Sequence, residues 1–119
     1  MLSAGSGGAI VSVSSVAGLS GLGSSIAYCA SKGALNTLTK SLARALAPRI
    51  RVNAVCPGPI DTRWLRSVMS EEQLYARTAD YPLPRPAQPD DIADAVIYLA
   101  TGTTLTTGQL LVVDGGRTM

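Results

Sequence analysis

Histidine and phenylalanine are absent from this 119-residue chain, cysteine occurs only twice, and charged side chains make up just 15% of it. Each shortage excludes something. Without histidine, and with Cys29 and Cys56 isolated from one another and no C-x-x-C pair, there is no ligand set for a zinc site. Two cysteines do not build a disulfide framework, so a reducing, cytoplasmic compartment is expected. Four Tyr and one Trp are too few for a base-stacking platform, and the ten Lys and Arg are scattered, so a nucleic-acid partner is not expected. No apolar run approaches the roughly 20 residues that span a bilayer. Residues 1–8 carry neither the basic nor the apolar region of a signal peptide, so no membrane association is expected.

What remains is apolar. Hydrophobic residues reach 46%, which favours a packed core over disorder, and the low charge suits a sheet covered on both faces. Ala9–Ser14 reads as a buried strand and Ser15–Ser25, rich in Gly and Ser, as a loop. A long helix is expected from about Ser25 to Ala47. Leu35, Leu38, Leu42 and Leu46 form its apolar face; Lys32, Asn36, Lys40 and Arg44 form a polar row, and Pro48 ends it. Ile50–Cys56 reads as a second strand, stopped by Pro57-Gly58-Pro59. Residues 62–88 read as a partly helical, mobile excursion. Pro89-Asp90-Asp91 opens a helix to about Ala100, with proline and acidic residues suited to a helix start. Thr101–Thr107 links it to a third strand, Gln109–Asp114. Strand–helix–strand–helix–strand implies an α/β fold with a parallel sheet.

Three features of chemical interest lie along this pattern in order: Ser15 after the first strand, a Y-x-x-x-K pair at Tyr28 and Lys32, and Pro57-Gly58-Pro59-Ile60-Asp61-Thr62 after the second strand. Residues four apart share a helix face, which sets the Lys32 ammonium beside the Tyr28 phenol. A free phenol, with a pKa of about 10, is a poor base at neutral pH, and a neighbouring ammonium favours its phenolate. Lowering it by three units takes about 4 kcal/mol, much of which a cation in a partly desolvated site can supply. Tyr28 is then a general acid/base, and Ser15, at a strand's carboxyl end, a second donor to a substrate oxygen. Taken singly, each has a plainer reading: a helix surface, a loop residue, a turn.

Together these residues resemble the short-chain dehydrogenase/reductase family. Gly8–Gly18 is similar to its fifth strand and catalytic serine, with Ser15 thirteen positions before Tyr28. Tyr28–Ala34 is similar to its active-site helix, Ile50–Gly58 to its sixth strand, and Pro89–Ala93 and Val113–Gly116 to its end. The resemblance runs over roughly residues 7–116. It implies the C-terminal part of a Rossmann-type doubly wound parallel sheet, with 1–119 as a single partial domain and 62–88 as a substrate-binding loop within it. It further implies hydride transfer between NAD or NADP and a small carbonyl or alcohol substrate. Tyr28 would be the acid/base, Lys32 its modulator and a ribose ligand, and Ser15 the residue that orients the substrate oxygen. Pro57, Gly58, Ile60 and Thr62 would border the nicotinamide, with the Ile60 N–H and the Thr62 hydroxyl toward its carboxamide. Asn53, Arg85 and Asp114 match family positions and read as structural. Homo-oligomerisation would use the helix from Ile26 to Ala47.

The family's TGxxxGxG turn, its N-N-A-G segment and the asparagine after it do not occur in these 119 residues. Gly5-Ser6-Gly7-Gly8 precedes a strand, so it cannot cradle a pyrophosphate at a helix start. Met1 falls near the end of the family's fourth large helix, which implies a truncation or a mis-assigned start. The alternative to an enzyme is thus a non-catalytic fragment, inert or paired with a related subunit.

Overall fold

The computed structural model describes Gly5 and residues 7–119; the reading of Met1, and of Ser6 within the Gly5–Gly8 turn, lies outside these residues. Strand β1 is Gly8–Val13, followed by a short helix α1, Ala17–Ser20, and a long helix α2, Ile26–Leu46. Strand β2 is Ile50–Pro57. Helices α3 (Arg63–Arg66), α4 (Glu71–Thr78) and α5 (Pro89–Ile97) come next, then a wide π-type turn over Tyr98–Gly102 and strand β3, Leu110–Val113.

The sheet is parallel, with order β1-β2-β3. Register runs from Gly8 opposite Ile50 to Val13 opposite Val55, and from Ala54 opposite Leu110 to Pro57 opposite Val113. All three strands therefore end at one rim. Layers of apolar side chains lie on both faces. On one, Ala43, Leu42 and Leu46 of α2 pack on Ile10, Ile50 and Val52. On the other, Ile92 of α5 and Leu99 pack on Val55, Val11 and Leu111. β2 lies between its neighbours and is buried along its length except at Arg51.

Two polar residues of β2 are explained by what they hold. The Arg51 guanidinium donates to the carbonyls of Leu99 (2.7 Å), Ala100 (2.9 Å) and Thr106 (3.3 Å), closing the π-type turn. The Asn53 side chain donates to the Thr106 carbonyl and accepts from the Gln109 N–H. Asp114 accepts from the Gly116 and Thr118 N–H groups, and Arg85 binds Asp91. All three residues read as structural hold the fold in this way.

The structure also corrects several expectations. Ser15–Ser25 is not wholly a loop, because α1 forms within it. Gly18 makes that possible by letting α1 approach the α2 backbone: a Cβ there would lie 2.5 Å from the Lys32 carbonyl carbon and 2.7 Å from the Gly33 nitrogen. The leucine stripe is only part of the buried face of α2. Leu42 and Leu46 pack on the core, but Leu38 is half exposed, while Asn36, assigned to the polar row, is buried with Thr39 and Ala43. The last long helix leaves α geometry at Ile97 instead of Ala100, and β3 is shorter than Gln109–Asp114. Residues 62–88 hold two formed helices, α4 beginning with a reciprocal cap between Ser70 and Gln73.

Candidate active site at the strand rim

The three loops leaving the strand ends enclose a cleft of about 290 Å³. Ser15 reaches it from the turn after β1, Tyr28 and Lys32 from the first turns of α2, and Pro57, Gly58, Ile60 and Thr62 from the turn after β2. All seven candidate residues thus line one cavity.

Local bonding explains their positions. The Ser25 hydroxyl caps α2 by accepting from the Tyr28 N–H at 3.2 Å, which starts the helix so that Tyr28 and Lys32 fall on successive turns. Ser15 Oγ accepts from the Ala17 N–H at 3.1 Å. It serves there as acceptor only, so its own proton is available. The Val16 N–H donates to the Pro57 carbonyl at 3.0 Å, clamping the turn after β1 to that after β2. Lys32 Nζ donates to the Val13 carbonyl at 3.0 Å and lies 5.6 Å from the centroid of the Tyr28 ring. Tyr28 is about one-third exposed.

Beneath this layer lies a group the sequence did not announce. Ser14, adjacent to Ser15 but buried, donates to Asn36 Oδ1 at 2.6 Å and approaches the Lys32 carbonyl at 3.2 Å. This ties the end of β1 to α2 beside Lys32. Cys56 Sγ meets the same Asn36 oxygen at 3.7 Å, and burial pushes its thiol up against the opposing effect of the Ser14 hydrogen bond. Asn36 Nδ2 is buried with no partner among the described residues. The polar row to which the sequence assigns Asn36 gave no sign of burial; only the tertiary approach of β1 reveals its inward role.

The turn after β2 is braced differently. Ile60 bridges to Ala87 through the Asp61 N–H and the Pro59 carbonyl, and Thr62 Oγ1 accepts from the Leu65 N–H at the start of α3. The Arg66 guanidinium spans Asp61 and Glu71, and its hydrogen bonds to Asp61 hold that carboxyl below the usual carboxylate range. Trp64 and Arg77, within the 62–88 segment read as a substrate loop, also line the cleft, as does Arg117. Arg117 carried no signal in the sequence; only folding brings it there.

A family model described as enoyl-(acyl carrier protein) reductase matches residues 1–118. The short-chain dehydrogenase/reductase homolog YusR of Bacillus subtilis (strain 168) is 46% identical over 94% of the chain and 84% of YusR. The chain belongs to the short-chain dehydrogenase/reductase family. Its α/β architecture is shared with a short chain dehydrogenase family protein of Francisella tularensis subsp. tularensis SCHU S4, at 38% identity and TM-score 0.87, over 95% of this chain and 52% of that one. ElxO, solved with NADP bound, aligns at 34% identity and TM-score 0.85, over 97% of this chain and 48% of ElxO. The chain spans most of YusR but about half the length of three other curated relatives it matches. No helix among the described residues is long and apolar enough to cross a membrane.

The unspent donors suit a nicotinamide riboside. Lys32 retains two N–H groups beyond its bond to Val13, and the Ser15 and Tyr28 hydroxyls are free to donate. Pro57 and Ile60 give an apolar wall for a flat ring.

Proposed function

We propose that this chain carries the proton-transfer and substrate-binding part of an NAD(P)-dependent dehydrogenase or reductase acting on a small carbonyl or alcohol. When bound, the nicotinamide supplies or accepts the hydride. The chain's residues handle the oxygen of the reacting group. Ser15 donates its free proton to that oxygen and orients it. Tyr28 moves the proton, as acid in reduction and as base in oxidation. Lys32 places a positive charge beside the phenol oxygen in the state where it is negative, and offers its remaining N–H groups to the ribose. Pro57, Gly58, Ile60 and Thr62 border the nicotinamide, and residues 62–88 form the substrate wall. A cytoplasmic location and self-association along the outer face of α2, where Ile26 and Leu38 stand exposed, belong to the same reading.

The observation that carries it is the meeting of Ser15, Tyr28 and Lys32 with the 57–62 turn in a single cleft at the carboxyl ends of parallel strands. The test is NAD(P)H-linked turnover over a panel of ketones and aldehydes, with this chain joined to a dinucleotide-binding half. Tyr28→Phe lowers turnover by a factor of at least about 100, as expected for loss of a general acid/base, and leaves cofactor affinity within about twofold. Lys32→Ala lowers both. Turnover that survives Tyr28→Phe removes Tyr28 from this role. No binding of NADH or NADPH at millimolar concentration rejects dehydrogenase activity for the chain on its own.

A further inference from the structure

Besides Lys32, two cations line the cleft, and the proposed hydride chemistry uses neither. Arg77 lies in the last turn of α4, within the substrate wall, and Arg117 follows β3. No Asp or Glu lines the cavity. Among the described residues the ion pairs lie elsewhere: Arg66 engages Asp61 and Glu71, and Arg85 engages Asp91. Among the described residues, neither Arg77 nor Arg117 has a carboxylate within ion-pair distance. Arg117 is also given room. A Cβ built on Gly23 would lie 3.1 and 3.3 Å from its two terminal nitrogens, so the guanidinium rests over a residue with no side chain, two positions before the Ser25 cap of α2.

A positive field with no internal counter-charge, in a cleft with low-dielectric walls, draws anions. Guanidinium forks match planar or tetrahedral oxyanions through paired hydrogen bonds. We propose that Arg77 and Arg117 form an anion subsite, and that the carbonyl or alcohol substrate carries a carboxylate, sulfonate or phosphate group away from its reacting carbon. This rests on the reading of Ser15 and Tyr28 as the proton-transfer end of the same cleft.

Trp64, the sole tryptophan, lines the cavity and reports binding without cofactor or turnover. The purified chain is titrated with levulinate and with 2-oxopropylphosphonate, following Trp64 fluorescence, with methyl levulinate as the uncharged counterpart. Both anions give a saturable change, and the ester binds at least about tenfold more weakly, the scale of one charged hydrogen-bonded pair. About 0.5 M sodium chloride weakens the anions and not the ester. Arg77→Gln and Arg117→Gln each lower anion affinity about tenfold and leave the ester unchanged. Equal binding of acid and ester, no saturation by either anion, or variants that bind like the parent would each overturn the subsite. An Arg77→Gln protein that melts earlier but titrates normally assigns Arg77 to the end of α4, where a cation suits the helix dipole, and overturns its part. These outcomes are independent of Tyr28: anions can bind while Tyr28→Phe leaves turnover intact, and neutral ketones can turn over with the subsite refuted.

Discussion

Gly18 and Gly33 face each other where α1 crosses α2, and replacing each with alanine should have opposite signs. At Gly18 the added Cβ would lie 2.5 Å from the Lys32 carbonyl carbon, 2.7 Å from the Gly33 nitrogen and 2.8 Å from the Lys32 Cβ. Two of these atoms are backbone and cannot rotate aside, so α1 must move. Overpacking of this kind costs about 1–3 kcal/mol, and rigid neighbours argue for the upper end. Alanine's better helix propensity returns up to about 1 kcal/mol, leaving a net loss of roughly 2 kcal/mol. At Gly33 the new Cβ would meet only the Gly18 carbonyl oxygen, at 3.5 Å, an ordinary contact. Gly33→Ala, inside α2, should then be neutral or stabilise by up to about 1 kcal/mol. Urea unfolding followed by Trp64 fluorescence and circular dichroism gives both values, provided the slope with denaturant is unchanged. In melting temperature, Gly18→Ala corresponds to a drop of roughly 8 °C for a chain of this size. Because the clash falls at Lys32, the proposed function predicts that the variant also loses turnover. A Gly18→Ala protein as stable as the parent, or a Gly33→Ala protein less stable than Gly18→Ala, would refute the close approach of the two helices.

Arg51→Ala should cost about 2–3 kcal/mol in urea unfolding, since three carbonyls lose a charged donor; Arg51→Lys should recover less than half, because one ammonium cannot reproduce the fork, and full recovery would contradict the bonding described. Asp91 is held down to about 2, first by the Arg85 hydrogen bond and then by the Gln88 N–H. An unfolded carboxyl titrates near 3.9, so the stability this pair contributes is present above about pH 4 and is lost as the pH falls toward about 2. Arg85→Gln should flatten part of that acid limb in urea midpoints, modestly because both side chains are partly exposed, and an unaltered limb would count against the pair.

Much of this fold was legible because its signals are local and strong. β1 and β2 are short apolar runs between turn residues, α2 is a long periodic segment ended by Pro48, and Pro89-Asp90-Asp91 marks the start of α5. Ser15, Tyr28 and Lys32 stood out by their order and spacing, and the 57–62 turn through the family resemblance; all of them line one cleft. What escaped depends on contacts distant in sequence. A four-residue α1 has no periodicity to detect, and it exists because Gly18 meets Lys32 and Gly33. Asn36 reads only as one member of a polar row until β1 brings Ser14 against it. The Ser70–Gln73 cap escaped because residues 62–88 have only weak periodicity. The π-type turn answers to Arg51, 48 residues before the nearer of its carbonyl partners.

The two sides of the cleft differ in how they are anchored. Ser15, Tyr28 and Lys32 are fastened by Ser14, Asn36 and Pro57 to the most deeply buried strand of the sheet, so a change there is transmitted to the core. The side carrying Trp64 and Arg77 is braced mainly by its own surface ion pairs and by the buried side chains of Leu74 and Thr78. Under the proposed function, selectivity could therefore be rebuilt on that side, residue by residue or by exchanging α3 and α4 as a cassette, while the side carrying Ser15, Tyr28 and Lys32 keeps its shape.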